Sequence, residues 1–275
     1  MKVVFCLDDK PAYLLLLKAA VRSLRAVQPH AECLCVYAGA DDALLAALAA
    51  ENIPVARHKP RITPDALSPK GQRCAGCFLK LELALLPELS RDPLALYCDT
   101  DVLFRRPLDE LLALTPRHMA MAREYTAPFF HPHQELRYTY QGREYVTPMP
   151  FPIWTFSSGV ALFNLDRLRR HGLIEHFLAF CRQNERNIGN LDQSLLNYFF
   201  GKRITRLEDR WNCPPYREEC RAAAHIVHFH GPKPWQTHGP LADLRINHFD
   251  YMRRVWLDWL RPDERALAQS WEAKA

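Results

Sequence analysis

Short apolar runs alternate with longer helical segments over the first hundred residues, and this alternation constrains the fold more than any other feature. The apolar runs are residues 3–7, 33–38, 53–57 and 94–98. The segments of helical periodicity between them are residues 12–27, 41–51 and 78–89. Strands that alternate with helices form a mostly parallel sheet with helices on both faces. We therefore expect an α/β fold whose ligands bind at the carboxyl ends of the strands.

The remainder of the chain has a less regular pattern. Residues 125–156 are rich in aromatic residues and proline and predict a hairpin-containing loop over the sheet. Further strands are expected at 159–165 and 225–231, and helices at 167–184 and 191–200. The pattern predicts a main domain at residues 1–240 and a helical tail at residues 241–275.

Composition excludes several classes of protein. The 275 residues have a formal net charge of +5 and lack the patterns of common nucleic-acid-binding modules, so we expect no nucleic-acid partner. The longest apolar run, residues 13–17, is too short to span a bilayer, and the first residues do not resemble a signal peptide. These features predict a cytoplasmic protein.

The nine cysteines do not form an obvious disulfide framework. Several lie in apolar, strand-like runs: Cys6, Cys33, Cys35 and Cys98. Reduced thiols in a cytoplasmic compartment are therefore expected. Cys74-x-x-Cys77 is compatible with redox chemistry or zinc, but no second pair at zinc-finger spacing accompanies it, which favours unpaired thiols.

Two carboxylates follow the apolar run of residues 94–98 directly, in the sequence LYCDTDVLF (96–104). In a strand, residues i and i+2 project to the same face, so Asp99 and Asp101 can point towards one divalent cation. A polar turn or a helix cap would explain the same residues. The pair alone does not decide between these interpretations.

A second stretch, HFHGPKPW (228–235), supplies the groups that such a site would need. His228 together with the two aspartates would form a mixed nitrogen and oxygen site that suits Mn²⁺ or Mg²⁺. Lys233 would contact the negative charge of a diphosphate, and Trp235 would pack against a base. A buried structural histidine and a surface lysine are the alternative interpretation.

These stretches, with SSGVALFNLDRLR (157–169) and LDQSLLN (191–197), resemble family 8 glycosyltransferases, the group of bacterial galactosyltransferases and glycogenin. FCLDD (5–9) is similar to the nucleotide-binding first strand of that family, and the resemblance extends in collinear order from residue 3 to about 235. It implies a GT-A fold, a Rossmann-like sheet that binds a UDP-sugar and a divalent metal. Residues 1–240 would then be the catalytic domain.

The resemblance also implies roles for particular residues. The metal, Mn²⁺ or Mg²⁺, would bind Asp99, Asp101 and His228. Asp192 would hydrogen-bond the hydroxyls of the donor sugar, and Gln193 would lie beneath its anomeric carbon as the second catalytic residue. The nucleotide-sugar would contact Asp8 (uridine), Lys80 (phosphate or sugar), Asp99 (ribose), Ser158, Gly231 and Lys233 (diphosphate). Ser158 belongs to Ser157-Ser158-Gly159, where the family often has Asn-Ala-Gly or Asn-Ser-Gly.

The implied activity is metal-dependent, retaining transfer of a hexose from a UDP-sugar to a glycan, a lipid-linked sugar or a protein. A nucleotidyltransferase on a similar sheet is one alternative, but it would need a glycine-rich basic loop where this chain has LDDKPAY (7–13). A non-catalytic module that binds a nucleotide-sugar or a metal is the other. The complete set of Asp99, Asp101, His228 and Lys233 disfavours it.

The tail combines tryptophan, phenylalanine and arginine. It is compatible with an amphipathic helix on the inner face of the membrane, which would make the protein peripheral to that face. A helix packed on the main domain is the alternative, and we favour it. We expect the tail to be dispensable for the chemistry.

Overall fold

The computed structural model describes residues 1–62, 67, 69, 75–124, 135–147, 155–186, 191–217, 222–236 and 246–272. Its strands are β1 Lys2–Leu7, β2 Glu32–Tyr37, β3 Val55–Arg57, β4 Leu94–Cys98, β5 Val102–Phe104, β6 Met119–Arg123, β7 Arg137–Tyr140, β8 Arg143–Val146, β9 Phe156–Asn164, β10 Ile204–Leu207 and β11 Ile226–His228.

The α-helices are α1 Pro11–Val27, α2 Asp42–Ala50, α3 Asp109–Leu112, α4 Leu165–Arg169, α5 Leu173–Asn184, α6 Leu191–Phe200, α7 Ile246–Leu257 and α8 Pro262–Glu272. Segments of 3₁₀-helix are Ala75–Leu85, Pro87–Leu89, Arg170–Gly172, Gly201–Arg203 and Asp209–Trp211. Two starts follow capping rules: Pro11 opens α1, and the Asp41 carboxylate accepts hydrogen bonds from the first turn of α2.

A seven-stranded sheet in the order β10-β6-β9-β4-β1-β2-β3 forms the centre of the molecule. Strand β1 pairs in parallel with β2 and β4, whereas β9 runs antiparallel between β4 and β6. Strands β5 and β11 form a small antiparallel sheet, and β7 with β8 forms a hairpin. The predicted α/β architecture with a mostly parallel sheet is confirmed.

Alternate residues of β1 pack into cores on opposite faces of this sheet. Val3, Phe5 and Leu7 pack with α1 and α2, whereas Val4 and Cys6 pack with the 3₁₀ segment, α5 and α6. Because both faces of the sheet are covered, the sequences of its strands are nearly continuous apolar runs. Ligands can therefore reach the sheet only at its edges and at the ends of its strands.

Several elements differ from the sequence prediction. The helix expected at 78–89 is 3₁₀ over Ala75–Leu85, and the one expected at 167–184 is divided into α4 and α5. The division occurs because His171 and Gly172 adopt left-handed backbone angles, φ 56° and 66°. Strands β5, β6 and β10 were not predicted. Of the expected loop at 125–156, the described part contains the predicted hairpin, β7 and β8.

The expectation that the cysteines are all reduced is wrong for Cys213, which is in a disulfide. The prediction was based on the cysteines inside strand-like runs, whereas Cys213 lies between the 3₁₀ segment Asp209–Trp211 and β11. Cys77 is not in a disulfide, and Cys74 lies outside the described residues. Since disulfides are uncommon in the cytosol, the cytoplasmic location stays a prediction.

The tail packs on the rest of the molecule instead of projecting from it. Met252 and Trp256 are buried in one apolar cluster with Leu15 and Leu16 of α1 and with Phe229. Beside this cluster Glu264 accepts hydrogen bonds from Arg22 at 2.5 and 3.0 Å and from Lys18 at 3.1 Å. These contacts favour the packed tail over a membrane-surface helix. No helix among the described residues could cross a membrane.

Candidate active site

Asp99 and Asp101 lie in the turn between β4 and β5, at the carboxyl end of β4. The prediction that strand geometry alone aligns them is wrong, because the strand ends at Cys98. The turn brings them together instead. Its first residue, Asp99, donates its backbone N–H to the carbonyl of Gly159 on β9 (2.7 Å).

His228 reaches the two aspartates because β11 pairs antiparallel with β5, which places His228 opposite Val102. Its Nε2 lies 3.5 Å from Asp99 Oδ2 and 3.3 Å from Asp101 Oδ1. The approach requires a glycine on β9: a Cβ at position 159 would lie 2.0 Å from His228 Cε1. The ring therefore occupies the space that the side chain of any residue other than glycine at position 159 would fill.

Asn212 fixes the orientation of this imidazole. Its Oδ1 accepts a hydrogen bond from His228 Nδ1 (2.9 Å), and both side chains are buried. Nε2 then faces the carboxylates, and without its proton it can serve as a metal ligand. One ligand atom from each of Asp99, Asp101 and His228 lies within 4.8 Å of the others, so the three can hold a single metal ion.

Lys233 returns to this cluster through a turn at Gly231, whose φ of +88° favours glycine. Its ammonium donates hydrogen bonds to Asp101 Oδ2 and to the carbonyl of Phe229. Burial disfavours the charged forms of both Lys233 and Asp101, but the attraction between the two charges outweighs this effect. The pKa of Lys233 is therefore raised, and Lys233 with His228 holds the pKa of Asp101 well below its usual range.

Lys80 connects the carboxylates of two different elements. Its ammonium, with a side chain 1% exposed, lies 2.9 Å from Asp99 Oδ1 and 2.9 Å from Asp192 Oδ2. Burial alone would lower the pKa of Lys80, but Asp192 and Asp99 outweigh it and raise the pKa. Ser158 completes the network by donating its hydroxyl to Asp192 Oδ2 (2.8 Å).

Hydrogen bonds at both ends orient the side-chain amide of Gln193. Its Oε1 accepts from the backbone N–H of Ser158 (3.1 Å), and its Nε2 donates to Glu124 Oε2 (3.0 Å). Glu124 is 5% exposed and directly follows β6. The amide is consequently held in one orientation before any substrate binds.

Two adjoining cavities, of about 210 and 450 Å³, share this cluster. The smaller contains Asp8, which forms an ion pair with Lys10 (2.8 Å), and is also lined by Tyr13. The larger contains Gln193, Glu124 and the imidazole of His230. All ten predicted site residues line one or both cavities: Asp8, Lys80, Asp99, Asp101, Ser158, Asp192, Gln193, His228, Gly231 and Lys233.

One expected contact lies elsewhere. Trp235 was expected to pack against a base, but its ring packs against Trp256 and Trp271 of the tail, with centroids 6.0 and 5.1 Å apart. Two further contacts join the same segment to the tail. Arg253 donates to the carbonyl of Pro234 (2.9 Å), and Phe229 packs edge-on against Phe249. The tail thus supports the segment that positions Lys233.

Sequence analysis missed three polar residues of the site. Glu124 ends the apolar run MAMAR as Asp99 ends LALYC, so the rule that identified the aspartate would have found it. His230 lies two residues after His228 and close to it, and burial together with His228 lowers its pKa to about 4. Asn212 had no signal, because its role depends on a contact across sixteen residues.

The fold and the site define the class of protein. A mostly parallel sheet, an antiparallel strand β9 beside β4 and an acidic cluster at the end of β4 form a GT-A glycosyltransferase. The chain belongs to glycosyl transferase family 8, whose family model matches residues 3–239. The resemblance noted in the sequence is thereby confirmed, and the protein is a glycosyltransferase. No protein of curated function matches the chain.

Solved structures similar to this chain have the same fold. The galactosyltransferase LgtC, in complex with donor and acceptor sugar analogs, is 21% identical with a TM-score of 0.66, over 94% of this chain and 100% of that one. The glycosyltransferase GlyE of Streptococcus pneumoniae TIGR4 is 18% identical, TM-score 0.62, over 99% of this chain and 63% of that one. Mouse xyloside xylosyltransferase 1 is 17% identical, TM-score 0.55, over 83% and 97%.

Proposed function

We propose that the protein transfers a hexose from a UDP-sugar to an acceptor hydroxyl, with a divalent metal ion and with retention of the anomeric configuration. The observation that supports this most is the convergence of Asp99, Asp101 and His228 beside Lys233, between two adjoining cavities. Family membership favours this function over a nucleotidyltransferase or a non-catalytic module.

The donor set fits a divalent ion. Two carboxylates and one imidazole nitrogen suit Mn²⁺ well and Mg²⁺ acceptably. Asn212 leaves His228 Nε2 available as a ligand, and a metal ion would offset the repulsion between the two aspartates. When bound, such an ion supplies Lewis-acid stabilisation of a departing diphosphate.

Asp8 and Tyr13 line the smaller cavity, which would hold the nucleoside, and Lys233 would contact the diphosphate at the junction of the two cavities. A diphosphate there competes with Asp101 for the Lys233 ammonium, which metal binding to Asp101 would release. Lys233 then stabilises the negative charge that develops on the leaving group.

The larger cavity would hold the donor sugar and the acceptor. Lys80 fixes the carboxylate of Asp192, leaving that group positioned to accept hydrogen bonds from sugar hydroxyls. Gln193 is a neutral amide oriented by Ser158 and Glu124, so it can stabilise positive charge near the anomeric carbon without being a strong nucleophile. We therefore favour attack by the acceptor on the face that UDP leaves, with the departing phosphate oxygen taking the proton of the acceptor hydroxyl. A glycan or a lipid-linked sugar is the proposed acceptor.

Calorimetric titration with UDP in the presence and absence of Mn²⁺ tests the metal site. We expect Asp101→Asn to abolish the Mn²⁺ dependence of UDP binding together with transfer, because it removes a charged ligand and the partner of Lys233. Asp42→Asn, which removes an exposed carboxylate in the first turn of α2, is the matched control. Near-normal turnover of Asp101→Asn with Mn²⁺ would show that the metal assignment is wrong.

A panel of UDP-sugars, scored by UDP release, identifies the donor. The anomeric proton coupling of the product then reports stereochemistry. An α-linked product from an α-linked donor is expected, and a β-linked one would refute retention.

A further inference from the structure

A third cavity, of about 250 Å³, lies at the end of the sheet opposite the acidic cluster. Its lining is Arg117, His118, Arg167, Arg170, His171, Leu173, His176 and Arg203. His118 immediately precedes β6, and Arg167 follows the carboxyl end of β9. Since β9 runs antiparallel to β4 and β6, these residues lie at the end of the sheet away from Asp99. The cavity shares no lining residue with the two catalytic cavities.

Positive charge in this cavity is not balanced by protein carboxylates. Within the described residues, none of its four arginines forms a salt bridge. The two nearest acidic residues in sequence are engaged elsewhere, Asp166 with Arg169 (3.2 Å) and Glu175 with Arg61 (2.7 Å). Four like charges around one concave surface repel one another, and a bound anion would relieve that repulsion.

Two buried polar atoms here have no hydrogen-bond partner in the part of the chain that the structure describes. They are Nδ1 of His118, a side chain 3% exposed, and Nε of Arg167. An orphaned buried donor or acceptor costs about 1–3 kcal/mol, so such atoms commonly face a ligand or ordered water. Burial, with Arg203 and Arg167 next, lowers the pKa of His118 to about 4. The ring is therefore neutral at pH 7, and its Nδ1 can donate or accept.

The amino end of α5 adds a third source of positive potential. Leu173, its first residue, lines the cavity, and Gly172 at the N-cap offers no side chain to accept from the first backbone N–H groups. The N–H of Leu173 already donates to the carbonyl of Arg170, so it is the helix dipole that favours an anion at this position.

We propose that this cavity binds the phosphate group of an anionic ligand, independently of the catalytic site. Guanidinium groups pair with phosphate oxygens through two parallel hydrogen bonds, and the cavity supplies several of them around one concave surface. The volume is ample for a phosphate group with accompanying water. The phosphate can belong to a soluble phosphate ester or to a phospholipid headgroup.

Titration of the full chain with inorganic phosphate tests the proposal. The double variant Arg117→Gln/Arg170→Gln removes two exposed guanidinium groups that form no hydrogen bond with the described residues, so the fold should persist. We expect phosphate affinity to fall at least about tenfold with UDP affinity unchanged. Arg254→Gln removes one remote exposed arginine; it is the charge-matched control for the single variant Arg167→Gln and should leave phosphate affinity unchanged. Arg167→Gln provides a second, independent variant.

Lys233→Ala separates the two sites. This substitution should weaken UDP binding but leave intact the phosphate binding at the cavity lined by the four arginines. Phosphate binding that survives the double variant and disappears in Lys233→Ala would overturn the proposal, as would absence of phosphate binding to the wild-type chain at millimolar concentration.

Sedimentation with vesicles distinguishes the sources. Co-sedimentation with phosphatidylglycerol but not with phosphatidylcholine vesicles, lost in the double variant, assigns a lipid headgroup. Phosphate and glycerol phosphate binding without co-sedimentation assigns a soluble ester.

Discussion

Replacing Gly159 by alanine tests how His228, the proposed metal ligand, is positioned. An added Cβ would lie 2.0 Å from His228 Cε1 and 2.5 Å from Nδ1, closer than non-bonded atoms can approach. The ring must move, which would break its hydrogen bond to Asn212 and withdraw Nε2 from the aspartates. Overpacking of this kind costs about 1–3 kcal/mol, or a fall in melting temperature of roughly 2–10 °C for a chain of this size.

A double-mutant cycle identifies the origin of this cost. We expect Gly159→Ala to destabilise the wild type but to cost much less in His228→Ala, where the ring is absent. UDP binding should lose its Mn²⁺ dependence in both single variants. Gly76→Ala is a milder steric control, since its Cβ would lie 3.2 Å from Asp8. An equal cost of Gly159→Ala in the two backgrounds would refute the proposed clash.

Three further changes test other parts of the site and the tail. Lys80→Met should destabilise the fold by about 3–5 kcal/mol in urea denaturation, because Asp99 and Asp192 lose their cation. Glu124→Ala should lower kcat about tenfold with little change in donor KM. Glu124→Gln still accepts a hydrogen bond from Gln193 and should restore most of the lost kcat. Equal losses of kcat in the two variants would contradict positioning of Gln193 by this bond. Burial opposes the charge of Glu264, but Arg22 outweighs it and lowers its pKa from 4.5 to about 2. Its contribution to stability is present above pH 4.5 and lost as the pH falls towards 2, so Glu264→Gln should be less stable at neutral pH and lose less on acidification.

Local patterns were sufficient to predict most of the fold. Apolar runs identified β1, β2 and β4, and capping residues identified the starts of α1 and α2. The short strands β5, β6 and β10 were missed because three to five residues give little periodicity. The break between α4 and α5 depends on left-handed backbone angles at His171 and Gly172. Gly172 is a sequence signal for such a break that the prediction of one helix over 167–184 did not use.

The candidate site was predictable as a set of residues but not as a geometry. The family resemblance supplied Asp192 and Gln193, the stretch HFHGPKPW had already suggested Lys233, and all three line the larger cavity. The ion pair of Lys80 with Asp192 joins residues far apart in the chain, and no local pattern encodes it. The same holds for Asn212, which depends on the neighbouring strand β11 for its contact with His228.

The packing of the tail has a consequence for hybrid enzymes. The family model ends at residue 239, so an exchange of sequence between relatives would naturally be joined there. Trp235 and Pro234, however, contact residues of the tail. A chimera joined at residue 239 would combine Lys233, the proposed diphosphate contact, from one parent with a supporting helix from the other. A functional hybrid should therefore take α7 and α8 from the same parent as the segment that contains Lys233.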